Sequence, residues 1–195
     1  MRALRARARC STATAVAAAS LACGMLAGPT PAFAHRHCPN ANVRATHLPN
    51  DELRVALVCL LNAERAKHEL PAVRESSQLD GAAQRWTQNM VATDNLSHGD
   101  VGVRVSAAGL RWSWVGEDIA SGFSTPRAVI AAWMASAVHC QNILSPMFAA
   151  AGVGISPHPV QGFARGPATW TLDCALASGQ HAPSSNFGPA RGCPY

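Results

Sequence analysis

The chain has 195 residues, of which 48% are hydrophobic and 14% are charged, and its 16 basic side chains outnumber its 11 acidic ones. Four of the arginines lie in residues 1–34, which contain no acid, so the remainder carries 12 basic against 11 acidic side chains. This near balance gives no support for binding to nucleic acids or acidic membranes, and the length fits one domain with one core.

Residues 1–34 have the pattern of a secretory signal peptide. The basic segment MRALRARAR is followed by a small, apolar stretch, then by prolines and the cleavage signal Ala32-Phe33-Ala34. We therefore expect cleavage after Ala34 and export of the rest. The alternative is an uncleaved anchor, but the stretch is rich in alanine and prolines end it. No later segment is long and apolar enough to span a bilayer.

Export makes the remaining cysteines candidates for disulfides before anything else. Their spacing lacks the paired C-x-x-C of a structural zinc site. Because their number is odd, one thiol is left free or pairs with another molecule. The five are Cys38, Cys59, Cys140, Cys174 and Cys193.

The first half of the exported chain predicts two helices. Residues 35–50 form an irregular arm, and Asn50 is a candidate cap for a helix that runs from residue 51 to about Leu70, before Pro71. Leucines at helical spacing support this helix. A second helix begins at Ser76 or Ser77 and ends near residues 94–95, with one apolar stripe along it.

The second half predicts more β-structure. Residues 96–112 look irregular, with one helical turn near 104–108, and WSWVGEDIASG then reads as a strand. Thr125 and Pro126 start a third helix that is predicted to end at His139. Strands are expected at 149–155 and 167–176, followed by a surface tail over 178–195. Helices followed by hairpin-linked strands predict an α+β fold with helices on an antiparallel sheet.

Three segments carry side chains suited to chemistry. LSHGD, VGEDIASG and AVHCQNIL supply His98, Glu117 and His139, each near the end of a predicted element. If these ends meet on one rim, two imidazoles and a carboxylate suit a divalent metal or a water used in general-base chemistry. Alternatively each is a separate surface group, since the separations of 19 and 22 residues match no metal motif.

The order of these segments resembles the CAP superfamily of cysteine-rich secretory proteins, antigen 5 and pathogenesis-related-1 proteins, and above all its bacterial SCP-like secreted branch. The resemblance covers roughly residues 55–175, through motifs such as LLNAERAKHELPAV, VGEDIASG, WMASAVHCQNIL and TWTLDC. It implies an α-β-α sandwich with a central antiparallel sheet, in a domain at about residues 51–177.

The resemblance also implies that His98, Glu117 and His139 line one cleft. Many family members outside bacteria have a second glutamate seven residues after the first histidine, where this chain has Val105. The usual G-E-N is G-E-D here, and strand alternation turns Asp118 away from the face of Glu117, so we expect a structural role for it. The N-x-E-R segment, with Asn62, Glu64 and Arg65, is expected to brace helix against sheet.

Bacterial relatives imply a Cys38–Cys59 disulfide that pins the arm to the first helix. We further predict a Cys140–Cys174 bridge, because the last strand should run beneath the helix that carries His139, and a free thiol at Cys193. The alternative bridge is 174–193, with Cys140 free. With the 140–174 bridge, His139 faces the cleft while Cys140 ties the helix end to the last strand; a free Cys140 would reopen the possibility of a thiol nucleophile.

For function, the resemblance implies a secreted, monomeric binding or interaction module rather than an enzyme. Its ligand would be an extracellular lipid, sterol, protein or cell-wall component, with no cofactor other than a divalent cation such as zinc. A hydrolase is the second hypothesis, with Glu117 activating a metal-bound water or a histidine activating Ser97 or Ser136. A lipid carrier is the third, and it requires an apolar groove.

Overall fold

The structure, a computed structural model of the chain, describes residues 37–162 and 166–194. The signal peptide predicted over residues 1–34 lies outside these residues. Of the described helices, none is long and apolar enough to cross a membrane. The helices are α1 (Asn50–Lys67), α2 (Ser77–Ala92), α3 (Val101–Ala107), α4 (Pro126–Met134), α5 (Ala137–Ile143) and α6 (Gly188–Arg191). The strands are β1 (Arg74–Glu75), β2 (Trp112–Ser121), β3 (Ala150–Ser156) and β4 (Thr169–Ala177).

The strands form one sheet in the order β1-β3-β4-β2. β4 pairs antiparallel with both β2 and β3, so the long strands confirm the predicted antiparallel sheet. The two-residue β1, which the sequence pattern does not reveal, pairs parallel with β3. Helices pack on both faces of this sheet, as the predicted α-β-α sandwich requires.

Alternation along the strands separates the two faces. Ala151, Val153 and Ile155 point into the main core, which they share with residues of α1, α4 and α5. Between them, Gly152 and Gly154 point at α2. A Cβ on Gly154 would lie 2.2 Å from the Ala83 main-chain oxygen, so the absence of a side chain allows α2 to lie directly on β3.

The outer edge of β3 is closed by side chains beyond the short β1. Val153 N–H donates to Asp80 at 2.7 Å, and Arg54 Nε donates to Val153 O at 2.9 Å. Gln84 both accepts from Ile155 N–H and donates to Ile155 O. These polar side chains replace a neighbouring strand and protect this edge from pairing with another chain.

Two local predictions differ from the structure. Asn50 is the first residue of α1 rather than its cap, and its side chain donates to Gln84 and to Ile155 O instead. The predicted third helix is two helices, because Ala135 closes α4 and the backbone of Ser136 is extended before α5 starts. His139 is therefore the third residue of a separate short helix, not the end of a long one.

Two of the three residues of the polar brace predicted on α1 do brace the helix, but against loops and the end of α5 rather than against the sheet. Asn62 makes two hydrogen bonds with the main chain of Val73. The guanidinium of Arg65 is buried and donates to the carbonyls of Pro71, Ile143 and Ser145, which fixes the start and the end of other elements against α1. Glu64 instead pairs with Lys67 on the surface of the helix.

The disulfides confirm one prediction and correct another. Cys38 is bonded to Cys59, as expected. Cys140, however, is bonded to Cys193, so the predicted Cys140–Cys174 bridge and the free thiol at Cys193 were wrong, as was the alternative 174–193 bridge. The tail does not simply cross the surface, because α6 packs against α5 and brings Cys193 to it. Cys174 is the free thiol of the described residues; it is buried in β4, and burial raises the pKa of its thiol.

Thiol counting tests this pairing. In the mature chain we expect no reaction with a water-soluble maleimide before unfolding and one thiol per chain after it. Unreduced peptide mapping should return a 140–193 pair, and a 140–174 pair would contradict the structure. Replacing both Cys140 and Cys193 with serine should lower the free energy of unfolding by about 4 kcal/mol, as expected for a loop of 53 residues. Chemical denaturation measures that loss.

Candidate functional site

The site is organised around Glu117 on β2. Its side chain is only 1% exposed and points to the sheet face covered by α2 and α3. One carboxylate oxygen lies 2.8 Å from Nδ1 of His98, and the other accepts a hydrogen bond from the guanidinium of Arg104. Both oxygens are therefore engaged, and the structure brings His98 and Glu117 together.

Arg104 is held in place from several sides. The Asp100 side chain caps α3 by accepting from Val103 N–H, and this short helix carries Arg104 towards β2. The guanidinium stacks on the Trp86 ring at 4.2 Å and also donates to the His98 carbonyl at 2.5 Å. Trp86 is half-buried and forms part of the site.

Trp86 and Arg104 thus fix the loop that carries His98. Trp86 Nε1 donates to Ser97 O at 2.8 Å, immediately before the histidine. The next residue, Gly99, has a φ of 55° and approaches the Trp86 ring so closely that a Cβ would lie 2.7 Å from it. The glycine of LSHGD is needed for this turn, and the loop presents the imidazole to Glu117.

Asp173 is a functional residue that the sequence reasoning missed. It lies directly opposite Glu117 in the β2–β4 register and is fully buried. Burial and the neighbouring Glu117 raise the pKa of Asp173 well above its usual range. Pairing the alternation of TWTLDC with that of VGEDIAS would have placed the two acids on one face.

Burial also raises the pKa of Glu117, to about 7, while Arg104 opposes the shift. The pKa of His98 is lowered by its partial burial and by the charge of Arg104. At neutral pH the imidazole is therefore uncharged. An ionised Glu117 accepts from Nδ1–H of this neutral imidazole, which leaves Nε2 as the acceptor on a side chain that is 55% exposed.

His139 lies on α5, which packs from the other side of β2. It is half-buried, and its Nδ1 has no hydrogen-bond partner within residues 37–162 and 166–194. Burial and, secondarily, the charge of His98 lower the pKa of His139, so the two rings interact electrostatically. The structure therefore joins His98 to Glu117 but, among the described residues, bonds His139 to neither.

Asp118 and Val105 do not extend the site. Asp118 is buried on the opposite face from Glu117, where burial raises its pKa well above the usual range. Val105, at the position of the missing second glutamate, packs with Leu79 and Ala175 in a small apolar cluster. Neither side chain therefore adds a further contact to Glu117, as expected for Asp118.

The arrangement does not fit a divalent cation. Within the described residues, no three His, Cys, Asp or Glu side chains are grouped so that they could hold a metal ion. Two features account for this: the positive charge of Arg104 occupies one oxygen of Glu117, and Nδ1 of His98 occupies the other. Neither Ser97 nor Ser136 is hydrogen-bonded through its hydroxyl to a histidine in this part of the chain.

The state of His98 can be measured directly. Nitrogen-15 spectra of the imidazoles should show the Nδ1–H tautomer for His98 and a pKa below 6.5. Because the folded-state pKa lies below the unfolded one, protonation of His98 opposes folding, and its contribution to stability falls as the pH drops through 6.5. An Nε2–H tautomer, or a pKa above 6.5, would contradict this geometry.

Comparison with known proteins identifies similar sequences. Residues 58–174 match the family described as "CAP: Cysteine-rich secretory protein family". The uncharacterized protein YkwD of Bacillus subtilis (strain 168) is 35% identical over 103 residues, which cover 50% of this chain and 40% of YkwD. The chain thus spans about two fifths of that curated relative.

Solved structures support the fold. An extracellular SCP-domain protein from Bacillus anthracis str. Ames gives a TM-score of 0.55 at 23% identity. The match covers 66% of this chain and 44% of the Bacillus anthracis chain. An outer surface protein from Borrelia burgdorferi gives 0.55 at 14% identity, over 62% and 90%. A cysteine-rich secretory protein from Staphylococcus aureus subsp. aureus Mu50 gives 0.53 at 16% identity, over 69% and 41%.

Proposed function

Because this chain belongs to the CAP family of cysteine-rich secretory proteins, we propose that it is an exported binding domain whose ligand contacts the rim of β2 between His98 and His139. The observation that carries the proposal is the engagement of Glu117. With both oxygens bonded and 1% of its side chain exposed, Glu117 orients His98 instead of meeting a ligand itself. The half-exposed ring of His98 then offers Nε2 as a fixed acceptor.

Export is supported by three features. The leader ends in a cleavage signal at Ala34, and two disulfides connect described residues, which is typical of oxidising compartments. Two of the similar structures are described as extracellular or outer-surface proteins. The proposed ligand is therefore one that the domain meets outside the cytoplasm.

A hydrolase is the second candidate, and the His98–Glu117 pair favours it. A carboxylate that holds Nδ1–H of an imidazole prepares Nε2 to act as a general base. A base needs a nucleophile and donors for the developing negative charge, however. The carbonyl of Ser97 accepts a hydrogen bond from Trp86 Nε1. Its hydroxyl is not hydrogen-bonded to His98 or His139 within the described residues. Binding therefore remains the better supported function.

The lipid-carrier alternative finds little support in the groove along the closed edge of β3. This groove has a volume of about 550 Å³, but its lining includes the charged side chains of Arg54, Glu75 and Asp80. Burial raises the pKa of Asp80 to about 6. The groove is also separate from His98 and Glu117.

Chemical-shift mapping tests the binding proposal. Nitrogen-15-labelled mature protein would be titrated with a library of short peptides, oligosaccharides and short-chain lipids. We expect the shifted amides to cluster at residues 97–99, 115–117 and 138–140, and His98→Ala to abolish the binding. His47→Ala changes an exposed histidine elsewhere and serves as the matched control. Shifts confined to other surfaces, or binding that His98→Ala does not weaken, would overturn the proposal.

The same library in a turnover assay separates binding from hydrolysis. We expect no cleavage of peptides or esters by the wild type. Cleavage that is lost in Glu117→Gln would establish the hydrolase instead, because the amide still fills the space but is a poorer partner for His98 and Arg104.

A further inference from the structure

The edge of the sheet at the site is open, and its geometry follows from the strand pairing. Among the described strands, β2 is terminal and is bordered by β4 alone. In an antiparallel pair, residues whose main chain bonds to the partner alternate with residues whose N–H and C=O point outwards. The phase of this alternation therefore decides which groups of β2 face away from the sheet.

Two hydrogen bonds fix the phase. Gly122 N–H donates to Ala168 O at 2.8 Å, which continues the β2–β4 register and marks the even-numbered residues of β2 as those bonded to β4. Ile119 O instead accepts from Trp133 Nε1 at 3.3 Å, on the outer side. Odd-numbered residues thus direct their main chain outwards, and Val115 and Glu117 are among them.

The main chain at Glu117 is exposed to solvent. Residue 117 as a whole is half-buried although its side chain is 1% exposed, so its accessible surface belongs to the backbone. Gly116 has no side chain, and it too is half-buried. Within the described residues, no side chain or loop is hydrogen-bonded to the outward N–H and C=O of Val115 or Glu117. The outward backbone groups of β2 at this position are therefore exposed and available for hydrogen bonding.

The opposite edge of the sheet shows what a protected edge looks like in this fold. There the same pair of outward groups at Val153 and at Ile155 is satisfied by Asp80, Arg54 and Gln84. Edge strands are usually closed in this way, because open ones pair with other chains. In the part of the chain that the structure describes, β2 lacks such protection beside the cluster that fixes the exposed imidazole of His98.

The elements around the open edge carry exposed apolar side chains. Arg104 is paired with Glu117, and α3 and α5 flank the strand on its two faces. Exposed hydrophobic side chains stand on all three elements: Val103 on α3, Trp114 on β2 and Val138 on α5. An occupant that offers main-chain donors and acceptors and apolar side chains matches this surface.

We propose that the ligand of this site is an extended peptide segment that adds to β2 as a fifth strand, through the outward N–H and C=O of Val115 and Glu117. This rests on the proposed binding function and names its ligand class. The two residues present their groups about 7 Å apart, which is the two-residue repeat of an extended chain. His98 and His139 then lie beside the bound peptide on either face.

A peptide selected from random sequences tests the proposal. A phage-displayed library of random dodecapeptides would be selected on the immobilised mature protein, and the binder would then be resynthesised with single N-methyl groups at each position. We expect N-methylation to weaken binding at least about tenfold at every second residue and to have little effect between them, because only alternate N–H groups face β2.

Two variants place the binder on β2. Val115→Pro removes an outward N–H without removing a bond to β4 and should weaken binding at least about tenfold. Val115→Ala trims the same side chain but keeps the N–H, and should weaken binding far less than Val115→Pro does. Unchanged circular dichroism and thermal midpoints verify that both variants are folded. Equal losses in the two variants would place the cause in side-chain packing and overturn the proposal.

The other outcomes are equally decisive. Failure to select any peptide, N-methyl effects without alternation, or self-association of the protein through β2 in sedimentation would each overturn strand addition. If strand addition fails while a sugar or lipid still binds in a manner that depends on His98, the binding function stands and the peptide class is wrong. If His98→Ala leaves every ligand bound, the proposed function itself fails.

Discussion

Replacing Arg104 with methionine is expected to lower the free energy of unfolding by about 3 kcal/mol at pH 8. The change leaves the carboxylate of Glu117 buried with no positive partner, which costs far more than the loss of an exposed ion pair. The side chain of Arg104 is 14% exposed, so solvent compensates little. Urea denaturation of the wild type and the variant measures the difference.

The pH dependence identifies the cause of that loss. In the variant the folded-state pKa of Glu117 rises further above the unfolded value of 4.5, because Arg104 no longer opposes the effect of burial. A raised pKa gives stability that is present below pH 4.5 and lost as the pH rises through the folded-state value. The deficit should therefore be small at pH 4 and should grow as the pH rises above about 7, where Glu117 ionises in the wild type but stays protonated in the variant. A loss that does not change with pH would show that only the packing on Trp86 matters.

Arg104→Lys is the matched control. It keeps a positive charge but cannot reach Glu117 and the His98 carbonyl with one planar group. We expect it to recover part of the stability but to leave the His98 loop less ordered. If Arg104→Met is as stable as the wild type at every pH, Glu117 is not held as described.

Gly154→Ala is expected to lower the free energy of unfolding by about 3 kcal/mol, near the upper end for overpacking a core. Its Cβ would lie 2.2 Å from the Ala83 carbonyl oxygen and 2.3 Å from the carbonyl carbon, which are backbone atoms and cannot rotate away. α2 would have to lift from β3. Because α2 carries Trp86, we also expect weaker ordering of the His98 loop, visible as broadened amide signals.

Gly81→Ala, on the same helix, is the control for this prediction. A Cβ there meets only the flexible end of the Arg85 side chain, at 3.3 Å. Alanine favours the helix over glycine, so this variant should be more stable than the wild type by about 0.5–1 kcal/mol. Equal effects of the two substitutions would show that α2 does not pack closely on β3.

Local patterns were sufficient to predict most of the framework. The leucines of α1, the Thr125-Pro126 start of α4 and the alternation of β2 and β4 are signals carried by neighbouring residues, and each element is present. The break between α4 and α5 was not predicted, because apolar residues at helical spacing continue from Met134 to Ala137 across it. The two-residue β1 leaves too short a pattern to detect.

The site was predicted in part for the same reason. The motifs named His98 and Glu117, and the structure bonds them. Arg104 was not recognised, because it lies in a segment that looks irregular and acts through a side chain that reaches across to β2. Asp173 could be found only from the register of two strands. Cysteine spacing does not specify connectivity, so nothing in the sequence pointed from Cys140 to Cys193.

The central claim of this account is that β2 has an open edge beside a fixed His98–Glu117–Arg104 cluster. Amide hydrogen exchange in the ligand-free protein tests it most directly. We predict that the N–H groups of Val115 and Glu117 exchange orders of magnitude faster than those of Gly116 and Asp118, which bond to β4, while Val153, closed by Asp80, stays protected. Protection of the Glu117 amide equal to that of Asp118 would contradict the claim.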